Sequence, residues 1–194
     1  MTEEPLSLEL EDAEWPFEYI DHDRPIARAI VIDAHAYFYF LRVQRTDVFG
    51  NAVTIETSGG GIEPGETPTE AVMREVREEL GAEIEILGEI GLVSDCYNRI
   101  HRHNINHYYL CQALSFGETN LTELERTRFN LSTLKLTYAQ AIAEYRRCED
   151  SKLGRLIAAR ELPMLERAWG MLGSWDISEI QVSMRVSSAS ALLR

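Results

Sequence analysis

A helix with both of its ends marked constrains the middle of this chain more than any other feature. Thr67-Pro68-Thr69-Glu70 has the form of a capping box with proline at the first helical position, and Gly81 stands where a helix stops. Between these ends Val72, Val76 and Leu80 recur every four residues and make one apolar stripe. A helix over 67–80 must therefore bury one face. Ser58-Gly59-Gly60-Gly61 and Pro64-Gly65 before it read as loop. Residues 27–32, 37–43 and 53–57 are rich in β-branched and aromatic side chains and predict strands, with turns at Asp33-Ala34-His35 and Gly50-Asn51. Residues 83–93 and 107–114 predict two more strands around a loop at 94–106. A second capping box, Thr137-Tyr138-Ala139-Gln140, opens a helix to about residue 147. Leu153, Leu156, Ile157 and Ala159 predict another, interrupted near Pro163 and resuming to about residue 172. Ile180, Val182, Met184 and Val186 alternate like a late strand, and 187–194 reads as frayed. Strands on both sides of one central helix, with helices at the end, predict an α/β domain.

Charge narrows the partners. Thirty-two Asp and Glu against nineteen Lys and Arg leave a net charge of −13. That is the wrong sign for a general DNA or RNA surface. An acidic protein binds phosphates only through a local basic patch or an intervening cation. No apolar run reaches the length of a membrane span. Cys96, Cys111 and Cys148 lack the paired spacing of a disulfide framework and suit reduced thiols in a cytoplasm. Residues 1–24 form an acidic arm, with nine Asp and Glu against the single Arg24. Its Trp15, Phe17 and Tyr19 predict docking, on its own domain or across a homodimer. A domain over 25–173 and a tail over 174–194 complete the expected organisation.

On the central helix Glu75, Glu78 and Glu79 sit at i, i+3 and i+4, which puts three carboxylates on one face. The like-charged pair Glu75 and Glu79 costs a few tenths of a kcal/mol on an exposed helix. One reading is a solvated acidic face. The other is a site for a divalent cation, since Mg²⁺ takes a few carboxylates, keeps waters and completes its shell with substrate phosphate.

The spacing around these acids separates the two readings. Gly60, Glu66 and the run Arg74-Glu75-Val76-Arg77-Glu78-Glu79-Leu80-Gly81-Ala82 resemble the box of the Nudix hydrolase family. Ala82 is smaller than the aliphatic residue usual there, a departure that bears on packing. The resemblance implies a Nudix-type α/β/α sandwich with a mixed β-sheet. It also implies Mg²⁺- or Mn²⁺-dependent cleavage of a nucleoside diphosphate linked to another group. By position, Glu78 and Glu79 would bind metal, Glu75 would be a further ligand or general base, and Arg74 would orient a carboxylate. Glu66 would be an outer ligand or brace, and the Gly60 carbonyl would face the metal.

Weaker signals surround the box. Arg99-Ile100-His101-Arg102-His103 is the one dense basic patch and is expected to meet phosphate or a terminal sugar. With His107 it also admits zinc, although no Cys or acidic partner stands at characteristic spacing. Glu56, before the glycines, resembles the approach to the box in ADP-ribose pyrophosphatases. The proline of that subgroup is absent, and Cys96 stands in its place. Tyr97 resembles a tyrosine of the dinucleoside-polyphosphate subgroup. Glu118, Glu123 and Glu125 follow the last expected strand before the second helix, and each is a candidate for a further acid. Tyr37, Phe38, Tyr39 and Phe40 alternate across a strand, so one pair is expected to face inward as core. The expected substrate is ADP-ribose or a nucleotide sugar, ahead of an oxidised nucleoside triphosphate. A non-catalytic nucleotide sensor is a competing class.

Overall fold

In the computed structural model residues 4–173 are described. The expected late strand and frayed end lie outside them. The central helix α1, Pro68–Leu80, has both of its marked ends. The Thr67 hydroxyl accepts from the Glu70 amide at 3.2 Å, and the Glu70 carboxylate accepts from the Thr67 amide at 2.8 Å. Gly81 closes the helix at φ 63°, its N–H bonded to the Arg77 carbonyl. Strands β1 (Leu6–Leu10), β2 (His22–Ile32), β3 (Phe38–Asp47) and β4 (Gly50–Glu56) precede it, with β5 (Ser58–Gly61) immediately before. Strands β6 (Ala82–Tyr97) and β7 (Arg102–Phe116) follow. Then come α2 (Glu123–Thr127), β8 (Ser132–Leu136), α3 (Tyr138–Cys148) and α4 (Lys152–Gly173).

The strands form one mixed sheet in the order β1-β6-β7-β2-β3-β4, with β5 on β2 and β8 on β3. Pairing is parallel for β1 with β6 and for β2 with β7, and antiparallel elsewhere. Period-two alternation on β2 sends Ala27, Ala29 and Val31 to α1, and Ile30 and Ile32 to α3 and α4. Phe38 and Phe40 join the second core and Tyr39 the first, so both faces of β3 are buried. The result is an α/β/α sandwich. Between β2 and β3 the register holds only Val31↔Tyr39 and Ile32↔Phe38. Beyond it β2 turns to β5 while β3 turns to β4. A cleft opens where they part, at the N-terminal half of β2.

Four expectations differ from this. Residues 58–61 are strand rather than loop, because the glycines let the backbone pair with Ile26–Ala29 of β2. The loop expected at 94–106 is the end of one long hairpin, turning through a 3-10 segment at Asn98–Ile100. Several of its polar residues are buried: Asn104 and Asn106 both donate to Asp95, at 3.0 and 2.8 Å. Helix α4 runs unbroken through Pro163, since Leu153, Ile157, Met164, Leu165 and Ala168 are buried on both sides of it. Packing outweighs the one backbone donor that proline removes. Finally, α2 and β8 were not expected. The arm docks on its own sheet through β1, and the Asp12 carboxylate accepts from the Glu14, Trp15 and Asn98 amides.

Candidate active site

Helix α1 buries Val72, Val76 and Leu80 against the sheet, which turns its acidic face along β5. Arg74 is the centre of that face. It donates to both Glu66 oxygens at 2.9 Å, to Glu75 at 2.7 Å, and to the Gly61 carbonyl at 3.0 Å. A longer contact reaches Glu78 at 3.4 Å. Arg74 holds the Glu66 carboxyl below its usual range. Glu75 is pushed up by burial, although the Arg74 guanidinium pulls the other way. Gly60 explains itself sterically: a Cβ there would lie 2.6 Å from the Glu75 carboxyl carbon.

Glu79 is 7% exposed. Its carboxylate accepts from the Ser58 hydroxyl at 2.8 Å and from the Gly59 amide at 2.9 Å. Burial pushes its pKa up to about 8 against those two donors, and Glu75 and Glu125 add to the rise. Glu75 and Glu125 thus add their charge to that of the buried Glu79, and Arg74 bonds Glu75. Among the described residues no three Asp, Glu, His or Cys side chains close into a ready-made cation cage. The oxygen-only donor set still fits Mg²⁺ or Mn²⁺, because such ions take part of their shell from water and substrate phosphate. A cation would relieve the repulsion that raises Glu79.

The cleft beside these acids encloses about 290 Å³. Gly59, Gly60, Glu79 and Glu125 line one side. Arg24, Arg28 and Arg102 line another, and Leu41, Val43, Phe129 and Leu131 form an apolar wall. Arg45 and Glu56 close it, joined at 2.9 Å. Burial would raise the Glu56 carboxyl, but Arg45, Arg28 and Arg160 hold it below its usual range. Two other hollows, about 200 Å³ beside Trp169 and about 400 Å³ beside Cys148, contain none of the α1 carboxylates.

The residues expected at the site divide. Gly60, Glu56, Glu79 and Arg102 line the cleft, and Arg74, Glu75 and Glu78 form the adjoining helix face, with Glu66 of the preceding turn paired to Arg74. Of the three loop acids, Glu125 lines the cleft while Glu118 and Glu123 do not. The basic patch is split, because the hairpin turn points its members in different directions. Arg99 donates to the Val48 carbonyl at 3.1 Å, and His101 stacks on Tyr19 at 4.1 Å. His103 sits between Ser94 at 2.6 Å and Asp23 at 2.8 Å. Only Arg102 of the patch reaches the cleft.

Sequence reasoning missed Arg24, Arg28, Arg45, Phe129 and Leu131. Arg28 carried a signal, as a charge inside an apolar strand. It donates to Asn106 at 2.9 Å and lies 3.7 Å from Glu161. Glu161 and Arg160 are themselves buried, paired at 2.9 Å, with Arg160 reaching Asp95 at 3.1 Å and the Tyr97 hydroxyl at 3.0 Å. Tyr108 and Tyr145 donate to Glu161 at 3.0 and 3.3 Å. This network runs along the sheet face that Arg28 shares with Ile30 and Ile32 and ties α4 to the cleft.

Comparison with known proteins agrees with the architecture. A NUDIX hydrolase from Nitrosomonas europaea superposes with a TM-score of 0.52 at 18% identity, covering 63% of this chain and 78% of that one. The E. coli ORF135 protein also gives 0.52, at 17% identity, covering 78% and 92%. Nucleoside triphosphatase NudI of Enterobacter sp. (strain 638) is 69% identical over 29 residues, 15% of this chain. The match spans only 21% of that relative's length. The model of the NUDIX domain matches residues 22–146. That range takes in the carboxylate helix and every strand that lines the cleft, and on that ground the chain belongs to the NUDIX domain family.

Proposed function

We propose that this chain is a cytoplasmic, Mg²⁺- or Mn²⁺-dependent pyrophosphohydrolase that cleaves a phosphoanhydride bond in a small nucleotide derivative. The observation that carries the reading is one cleft lined both by the α1 carboxylate Glu79 and by Arg24, Arg28 and Arg102, with Glu66, Glu75 and Glu78 gathered on Arg74 next to it. Glu75, Glu78 and Glu79 would hold the cation, with the Gly60 carbonyl beside them. The cation, when bound, offsets phosphate charge and polarises the phosphoryl group. Arg74 keeps Glu75 and Glu66 oriented through its bonds at 2.7 and 2.9 Å. Alternatively Glu75, raised by burial, would act as the general base that accepts a proton from attacking water rather than as a ligand. The apolar wall of Leu41, Val43 and Phe129 suits a nucleobase.

For the substrate, ADP-ribose or a nucleotide sugar is the first reading. A nucleoside triphosphate is the second, favoured by the short match to a nucleoside triphosphatase. Phosphate release from a panel of ADP-ribose, nucleotide sugars, dinucleoside polyphosphates and triphosphates, with Mg²⁺ and a coupled phosphatase, tests both. Turnover of one class, reduced at least about a hundredfold in Glu78→Gln, supports the reading. No turnover of any compound that nevertheless raises the melting temperature would make the chain a nucleotide sensor instead.

A further inference from the structure

We propose that Arg24 and Arg102 form a direct anion subsite, which binds a dianionic terminal phosphate of the substrate through guanidinium N–H groups without a cation. This rests on the pyrophosphohydrolase reading only for the identity of the ligand; the subsite itself rests on geometry and charge.

The two arginines come from neighbouring strands. In the parallel pairing of β2 with β7, Arg24 lies opposite Asn104, and Arg102 is two residues before Asn104. Side chains two apart share a face, so Arg24 and Arg102 are diagonal neighbours on one face. Both line the cleft. The other arginines of the cleft are matched. Arg45 pairs with Glu56 and Asp47, and Arg28 with Asn106 and Glu161. Arg24 and Arg102 make no ion pair among the described residues. The Arg102 Nε is buried without a hydrogen-bond partner among the described residues, and its guanidinium lies over the Tyr97 ring, 5.7 Å from the centroid.

This arrangement is anomalous in a chain of net charge −13. Acids are abundant, and Glu75 attracts Arg24 from a distance, yet neither the exposed Arg24 nor the half-buried Arg102 is held in an ion pair among the described residues, and each repels the other. An anion arriving in the cleft supplies what is missing. A terminal phosphate carries close to two negative charges at neutral pH, whereas a bridging phosphodiester carries one and a sugar none. Two unmatched guanidinium groups fit the first. The subsite is also correctly placed for a phosphate chain. Gly60 lies against Glu75, and the next residue, Gly61, lies against Arg24, 3.2 Å from a Cβ built there to Nη2. One phosphate can therefore meet the carboxylate side while another meets the arginines. Of the two substrate readings above, this subsite favours the second, a nucleotide with a free terminal phosphate such as a nucleoside triphosphate.

The test is binding of inorganic pyrophosphate to the full chain in EDTA, by calorimetry, where neither cation nor turnover contributes. Glu78→Gln, which removes a negative charge and no arginine donor, should bind no more weakly than wild type. An Arg24→Met/Arg102→Met double variant should bind at least about tenfold more weakly, the factor expected for losing a charged hydrogen-bond donor. Arg24→Lys/Arg102→Lys keeps the charge and should lose less. The melting temperature of the Met variant in EDTA without pyrophosphate should equal or exceed that of wild type, because a repulsion is removed; that reading guards against a folding defect. Unchanged pyrophosphate binding in a folded Met variant overturns the subsite. Pyrophosphate held by the arginines in a chain that hydrolyses nothing leaves the subsite standing and removes the hydrolase reading. If the panel is hydrolysed, a preference for nucleotide sugars that the Met variant leaves unaltered also overturns the proposal.

Discussion

Glu79 shows how one residue couples fold and chemistry. It is buried because it occupies a position of α1 that faces β5, and it has only the Ser58 hydroxyl and the Gly59 amide to stabilise its charge. Its pKa in the folded chain, about 8, lies above the ordinary 4.5. The folded state therefore binds a proton that the unfolded state releases between those two values. Its contribution to stability is fully present below about pH 4.5 and is lost as pH rises through about 8. In EDTA the melting temperature should fall across that window, and Glu79→Gln, which mimics the protonated form, should flatten the fall. Mg²⁺ should restore stability at the alkaline end for wild type alone. Its binding near pH 7 should release a proton, measurable as a dependence of the calorimetric heat on buffer ionisation enthalpy. A wild-type profile as flat as that of Glu79→Gln would show that the carboxyl is not held protonated.

At the scale of elements, the capped ends of α1 are local and therefore legible, and their energetic weight can be measured. Thr67→Ala removes the acceptor for the Glu70 amide and should cost about 1 kcal/mol in urea unfolding. Turnover should stay within about twofold, because Val72, Val76 and Leu80 still fix the helix to the sheet. An unchanged midpoint would show that the capping box carries no net stability here. The same locality explains what could and could not be read in advance. Glu66, Arg74, Glu75 and Glu79 share one helix and one turn, so their spacing already placed them together. Thr122 and Glu125 form a capping box as well, at 3.3 and 2.7 Å, and that signal for α2 was available three residues apart. The arginine wall was not available. Arg24 and Arg102 meet only because β2 and β7 run parallel in one particular register. The basic patch misled for the reverse reason: neighbours in sequence diverge at a hairpin turn, and a strand alternates its side chains.

For the whole molecule, the notable connection runs through the sandwich. Helix α4 lies beyond residues 22–146, the range shared with the family, yet its Arg160 and Glu161 are 1% and 0% exposed and reach the cleft through Arg28. Charge in this interior is balanced, two arginines, Arg28 and Arg160, against two carboxylates, Asp95 and Glu161. A balanced buried set contributes little net stability, but an unbalanced one is expensive. Glu161→Gln leaves two buried guanidinium groups facing one carboxylate and should destabilise by about 3–5 kcal/mol. Arg160→Met/Glu161→Leu removes one charge of each sign at roughly constant volume, leaving Arg28 and Asp95. The double variant should therefore unfold at higher urea than the single one, although it alters more atoms. If the single variant is instead the more stable of the two, the buried set is held by packing rather than by charge balance. Should the double variant fold well yet bind substrate more weakly, with KM raised and kcat retained, the role of α4 is to hold Arg28 in the cleft wall. The helix that completes the second core would then also set the electrostatics of the cleft that Arg28 lines.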